Sequence, residues 1–273
     1  MIISIIGLGF VGSAMYSSFN KKSIGNLIIY DKYKDGGIGL LESCLKADII
    51  FLALPTQFNN DIKQYDKNPI YETCDYLEKN NYLGVIVIKS TVEPETTDSL
   101  SEKYSSLHFI HNPEFLTART AEEDFHNQTH IVLGKGNTCP TEKFSKLKNF
   151  YSSYYPTATI SECTALESES MKIYLNSFYA MKIQFFTELY LLCEKNNSNF
   201  QTIKSMMLKN NWINPAHTNI PGPDGSISYG GLCFPKDTMA LNEYMEKYNT
   251  PHKLLSSTIQ ERNEIRKDND NIK

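Results

Sequence analysis

Apolar, β-branched runs recur through the first half of the chain at residues 2–6, 27–30, 49–54, 85–89, 109–111 and 130–133. Helix-length polar or amphipathic stretches lie between most of them, the alternation that builds a parallel sheet with helices on both faces. The pattern then changes: residues 162–195 form one long helical stretch without Gly or Pro. A shorter helix is predicted over 200–209, and residues 212–231 collect Asn, Pro, Gly and Ser into a long irregular loop, a length that implies function or disorder. Helical patterning returns over 235–247 and 251–267, and the polar tail 268–273 is expected to fray. There are no internal repeats. A boundary near Ser161 divides the chain into domains 1–161 and 162–273.

Composition agrees with two domains. The 273 residues are 41% hydrophobic and 21% charged, enough to bury a substantial core. A net charge of −4 and dispersed lysines give no basic field for a phosphate backbone, so nucleic acid is excluded as a partner. The six cysteines stand far apart with no zinc-ligand spacing, which implies free thiols in a reducing compartment and no metal site. The apolar start lacks a cationic leader and is broken by Gly7, Gly9 and Gly12, so it reads as a buried strand rather than a signal peptide. No apolar run is long enough to cross a bilayer, and a soluble, cytoplasmic protein without membrane contact is expected.

The sharpest local signal in the first half is Gly7-Leu8-Gly9-Phe10-Val11-Gly12, directly after the first strand and opening a helix over 13–20. In that context the first glycine permits a tight turn, the second lets backbone N–H groups approach a pyrophosphate, and the third lets helix and strand pack closely. Asp31 ends the second strand, where a carboxylate can accept from both ribose hydroxyls and repel a 2′-phosphate, favouring NAD over NADP. Lys32 beside it, Pro55 and Thr56 after the third strand, and Ser90 and Thr91 after the fourth are further cofactor candidates at the carboxyl edge. The expected fold is therefore α/β: an N-terminal Rossmann-like doubly wound parallel sheet followed by an all-helical domain with one long central helix.

The second half carries Gly230-Gly231-Leu232-Cys233-Phe234-Pro235-Lys236-Asp237. Pro235 suits the first turn of a helix, which places Cys233 at an N-terminus whose N–H groups and dipole favour a thiolate. Lys236 adds positive charge beside the thiol and a candidate cofactor contact, and the glycine pair lets a substrate approach the backbone. A buried structural cysteine in a glycine turn is the bland alternative. On the long helix, Glu169, Lys172 and Asn176 share one face by their spacing, either aimed together at a developing oxyanion or forming a solvated salt-bridging stripe.

These motifs together, with Lys89-Ser90-Thr91-Val92 and Asn112-Pro113-Glu114-Phe115-Leu116 between them, resemble the UDP-glucose 6-dehydrogenase and GDP-mannose 6-dehydrogenase family along essentially the whole chain. The resemblance implies NAD-dependent, four-electron oxidation of the C6 alcohol of a nucleotide sugar, UDP-glucose being the first choice, through a thiohemiacetal and then a thioester on Cys233. It implies that Lys172 and Asn176 hold the C6 oxygen, that Asp237 orders water and balances Lys172, that Thr91 helps fix the water, and that Glu114 is the base for hydrolysis. It also implies a homodimer formed through the helix 162–195. The sequence departs from the family pattern in three places. Ala118 stands where a second acid is usual. Trp212-Ile213-Asn214-Pro215 replaces an Arg-Ile pair, with His217 and Arg119 the candidates to substitute. The chain ends soon after Arg262-Asn263, where a further nucleotide-gripping domain is expected. Two other classes compete: a two-electron β-hydroxyacid dehydrogenase, which needs no cysteine, and a non-catalytic NAD-binding regulator.

Overall fold

The computed structural model describes residues 1–266 and residue 268. The chain divides into two compact units, one of Met1–Gln57 with Tyr65–Lys172, the other of Phe58–Gln64 with the residues from Ile173 onward.

The first unit is built on β1 (Ile3–Ile6), β2 (Leu27–Tyr30), β3 (Ile49–Leu52), β6 (Val85–Ile88), β7 (Phe109–His111), β8 (His130–Lys135) and β9 (Thr159–Thr164), in the sheet order β2-β1-β3-β6-β7-β8-β9. Two short strands, β4 (Phe58–Asn59) and β5 (Gln64–Tyr65), pair separately. Alternate residues of the central strands feed opposite cores. Ile3, Ile5, Ile49, Phe51, Val85 and Val87 pack with α1 (Phe10–Lys21), α5 (Ala121–His126) and α6 (Thr141–Tyr154). Ile6, Ile50, Leu52, Ile86 and Ile88 pack with α2 (Leu41–Cys44), α3 (Asn68–Lys79) and α4 (Thr96–Lys103). Covering both faces is what makes the central strands apolar at nearly every position, buried Ser4 in β1 being an exception, and each fully buried Ile or Val contributes roughly 1.5–3 kcal/mol.

The sheet is the expected Rossmann-like layer, with two corrections. It is parallel except between β7 and β8, which run antiparallel with Ile110 opposite Lys135. The connection over residues 112–129 carries only the six-residue α5 and returns the chain alongside β7 in the opposite direction. The long helix also starts later than residue 162. Residues 159–164 pair with β8 as β9, and α7 runs Ala165–Asn196. A reciprocal cap sets its start: Glu167 N–H donates to the Thr164 hydroxyl at 3.2 Å, and Thr164 N–H donates to the Glu167 carboxylate at 2.8 Å.

Beyond Lys172 the chain is helical: the rest of α7, then α8 (Phe200–Leu208), α9 (Phe234–Lys247) and α10 (Lys253–Ile265). A core of Phe186, Cys193, Phe200 and Ile220 joins α7 and α8 to the irregular segment between α8 and α9. That segment is fastened rather than loose. Lys182 donates to the Asn214 and Ala216 carbonyls, Arg262 to the Tyr229 carbonyl and Arg266 to the Ser228 carbonyl. The arginines also correct the expected fraying at Asp268, whose carboxylate pairs with both. The remainder of that tail, residues 269–273, and the last residue of the helix predicted over 251–267 lie outside the described residues. No helix among the described residues is long and apolar enough to cross a membrane.

Candidate active site

Parallel strands bring their following loops to one edge of the sheet, and the first unit gathers its candidate residues there. α1 opens at Phe10 rather than Ser13, because Gly9 takes the N-cap position and its carbonyl accepts the Ser13 N–H at 2.9 Å. The first turn of α1 has no side-chain cap, so the amides of Phe10, Val11 and Gly12 keep their donor capacity. The three glycines differ physically. Gly7 has φ +92°, a Cβ on Gly12 would lie 1.8 Å from the Gly7 carbonyl oxygen, and a Cβ on Gly9 would meet nothing within 4 Å. The open ground before α1 belongs to a cleft of about 820 Å³ lined by Gly9, Phe10, Ser13, Asp31, Lys34 and Arg119, with Ala118 on its wall.

Asp31 is already well used. It accepts from Leu8 N–H at 2.7 Å and from Tyr33 and Lys34 N–H at 2.9 Å each. Partial burial pulls its pKa upward, but the three amides and the nearby Lys34 ammonium outweigh that and hold it below the ordinary carboxylate value. About one of its roughly four acceptor positions is left for a ribose hydroxyl. Lys34, which sequence reasoning passed over, donates to the Leu8 carbonyl at 2.7 Å and to Ser13 at 3.0 Å and so braces the glycine turn. Lys32 points elsewhere, to Glu72 at 3.2 Å. An open approach to uncapped amides, with a carboxylate at the end of β2, fits a dinucleotide.

The other strand-end candidates tie their loops together. Ser90 Oγ accepts from Leu54 N–H at 2.9 Å and donates to the Leu54 carbonyl at 2.7 Å. Thr56 donates to the Thr91 carbonyl at 2.7 Å, and Pro55 is exposed beside it.

The face of α7 is buried rather than a solvated stripe, with Glu169 at 0%, Lys172 at 4% and Asn176 at 7% exposure. Lys172 donates to the Glu114 carbonyl at 2.6 Å and to its carboxylate at 3.2 Å, while the other Glu114 oxygen accepts Leu116 N–H at 2.6 Å. Glu169 has a different task. One of its oxygens accepts from Thr97 N–H at 2.7 Å and from the Thr97 hydroxyl at 2.6 Å, capping α4 from another helix, while Oε2 has no hydrogen-bond partner. Burial pushes its pKa up to about 8, against the Thr97 hydrogen bonds, which pull it down.

A pH dependence follows. Between its ordinary value of 4.5 and about 8, Glu169 holds its proton in the fold but loses it on unfolding. The folded state then binds more protons, so stability falls as pH rises through that window. Glu169→Gln removes the titration while keeping an oxygen for Thr97. Urea midpoints at pH 5 and pH 8.5 should fall for the wild type by the equivalent of a few kcal/mol more than for the variant, at about 1.4 kcal/mol per pKa unit. Parallel pH profiles would show that Glu169 is ionised in the fold.

In the second unit Cys233 is the N-cap of α9, exposed, and its carbonyl accepts the Asp237 N–H at 2.9 Å. Pro235 lies in the first turn, where its missing N–H is not required. Gly231 has φ +78°, a left-handed conformation that sets the turn before the cysteine. Asp237 is fully buried; Asn176 Nδ2 donates to one carboxylate oxygen at 2.6 Å and Lys236 to the other at 2.6 Å. Lys236 is therefore engaged with Asp237. His217 stacks on Tyr179 with ring centroids 4.5 Å apart and meets the ring of Phe234, the residue after Cys233, edge-on at 5.6 Å. Burial and the nearby Lys182 hold its imidazole below its ordinary pKa.

Comparison with known proteins gives the family. Residues 39–154 match the NAD binding domain, and residues 166–264 the central domain, of the UDP-glucose/GDP-mannose dehydrogenase family. The UDP-glucose 6-dehydrogenase of Rickettsia typhi is 34% identical over 218 residues, covering 78% of this chain and 48% of that protein. The chain thus spans about half the length of that relative. A UDP-glucose dehydrogenase structure from Pyrobaculum islandicum superposes with a TM-score of 0.81 at 22% identity, over 94% of this chain and 67% of that one. A 3-hydroxyisobutyrate dehydrogenase from Mycobacterium tuberculosis shares the fold at a TM-score of 0.73 and 15% identity, over 95% of this chain and 92% of its own.

Proposed function

The chain belongs to the UDP-glucose/GDP-mannose dehydrogenase family, and from that premise we propose that it oxidises the C6 alcohol of a nucleotide sugar, UDP-glucose first among them, to a carboxylate. The observation that carries the reading is Cys233, exposed at the N-cap of α9, with Asp237 one turn on, buried and bonded to Asn176. That setting lowers the cost of a thiolate, because the uncapped N–H groups and helix dipole favour negative charge.

Bound NAD supplies the acceptor for one hydride in each of two oxidations. The chain's own groups do the rest. As C6 gives up its hydride and its hydroxyl proton passes to solvent, C6 becomes a carbonyl, the Cys233 thiolate adds to it and a C–S bond forms. Lys172 and Asn176, one helical turn apart on α7, hold the oxygen that gains charge. Loss of the second hydride leaves a thioester. Water then attacks with Thr91 helping to place it, Glu114 takes one proton, and the C–S bond breaks to release the thiolate and the uronic acid, which loses its own proton to solvent. Asp237 keeps Asn176 and Lys236 oriented throughout. The same reading assigns a homodimer to α7, where Tyr174, Phe178, Phe185 and Leu192 are about half exposed along the helix.

The test is a count of NADH per sugar consumed when the purified chain is given NAD and a panel of nucleotide sugars. Two equivalents are expected. One equivalent, from a β-hydroxyacid instead, would assign the chain to two-electron chemistry, and NAD binding without turnover of any sugar would make it a regulator.

A further inference from the structure

Lys89 directly follows β6 with its side chain enclosed, 2% exposed, and the reaction described above does not use it. Enclosing an ammonium costs several kcal/mol unless its partners compensate, so its partners are informative. Its Nζ donates to Asn112 Oδ1 at 3.1 Å and to the Pro113 carbonyl at 3.2 Å, and lies 5.6 Å from the Phe125 ring centre.

Asn112 does not need this cation. Its N–H donates to the Ile88 carbonyl at 2.9 Å, its Nδ2 to the Val132 carbonyl at 2.8 Å, and its Oδ1 accepts the Tyr151 hydroxyl at 2.5 Å. The bond to Pro113 is different in kind. Proline has no N–H, so its carbonyl is its only backbone hydrogen-bonding handle, and that oxygen sets the peptide plane leading into Glu114. Glu114 is thus gripped from two sides, by Lys172 on its own carbonyl and carboxylate and by Lys89 through the preceding peptide.

We propose that Lys89 is a positioning residue for Glu114, orienting the Pro113–Glu114 peptide so that the carboxylate is presented beside Lys172 for hydrolysis of the thioester. The role in hydrolysis rests on reading Glu114 as the base. Electrostatics agrees with the geometry. Burial pushes the Lys89 pKa down to about 7, with Glu114 pulling it back up and Lys172 pressing it further down. The other titratable groups against this cluster are held neutral: His111 is driven down to about 3 by burial and the two lysines, and burial raises Tyr151 well above its ordinary value. Lys89 therefore changes charge in the neutral range, and its grip on the Pro113 carbonyl weakens as the ammonium is lost.

Two variants separate positioning from packing. Lys89→Met keeps length and removes the donor, and Lys89→Arg keeps the charge. Crystal structures of both, together with mass spectrometry of the protein during turnover and the pH profile of thioester hydrolysis, form the experiment. The expected result is that Lys89→Met folds, with the Glu114 carboxylate moved beyond ion-pair distance of Lys172. Its thioester form should accumulate because hydrolysis is slowed at least tenfold, and the pH limb near neutrality should be lost. Lys89→Arg should restore both the geometry and part of the rate. Glu114 unmoved in Lys89→Met would overturn the proposal whatever the activity. If Glu114 moves but Glu114→Gln hydrolyses the thioester at the wild-type rate, positioning stands and the assignment of the base fails.

Discussion

Replacing Cys233 with alanine is expected to abolish uronate formation, lowering kcat by a factor of roughly 10⁴ or more, the usual cost of removing a covalent nucleophile. The physical case is that no neighbouring group can replace a thiolate at this position. In the proposed mechanism the second oxidation starts from a tetrahedral carbon still bonded to the protein, and hydrolysis of the resulting thioester releases the product. The side chain is exposed and makes no capping bond to its own helix, so truncation should leave the thermal midpoint within a degree or two. Cys233→Ser is the sharper variant. Serine keeps the size of the side chain, and at the αR conformation of residue 233 (φ −95°, ψ −57°) it has no N-cap geometry to exploit, so stability should change little, yet its hydroxyl is a far weaker nucleophile than a thiolate. An equally stable and equally inactive protein is therefore expected, by calorimetry and NADH absorbance. Sustained production of two NADH per sugar by either variant would remove the cysteine from the mechanism.

The second large effect concerns the glycine turn, where two substitutions of identical chemistry should fail in different ways. Gly12→Ala would put a methyl group 1.8 Å from the Gly7 carbonyl oxygen, backbone against backbone, with no flexible side chain to yield. Relief requires α1 to move away from β1, and the cost should be about 3 kcal/mol or more, with NAD binding lost along with the fold of the turn. Gly9→Ala meets nothing within 4 Å and sits at φ −67°, a value any residue adopts, so stability should change by less than about 1 kcal/mol. Its methyl instead occupies the ground in front of the α1 amides, and NAD affinity measured by calorimetric titration should fall by tenfold or more, roughly 1.4 kcal/mol per decade. Equal effects of the two substitutions on the unfolding midpoint would show that the turn does not approach the cofactor as described.

Much of the first unit was readable from local pattern because local pattern is what builds it. Strands buried on both faces must be apolar at successive positions, and the runs at 27–30 and 109–111 coincide with β2 and β7. The start of α7 was also present in the sequence, as Thr164 followed by Glu167, but the helical period beginning at residue 162 masked this cap. The direction of β8 was not available, since a short apolar run carries no sign of which way it pairs. The partners of the polar residues were equally out of reach. Glu169, Lys172 and Asn176 look alike as a helical stripe, yet one caps α4, one holds Glu114 and one holds Asp237.

The chain alone determined where most of its strands and helices form, though not β9, that a glycine turn meets a helix after β1, and that a cysteine stands at the head of α9, because each depends on residues a few positions apart. Tertiary structure decided which charges are buried and which carboxylate each lysine serves. Lys89 and Glu114 lie 25 residues apart in sequence, and only the adjacency of β6 and β7 brings the turn before Glu114 onto the Lys89 ammonium. Burial is a property of the packed whole, and with it comes the low dielectric that makes a lysine titrate near neutrality or a glutamate keep its proton.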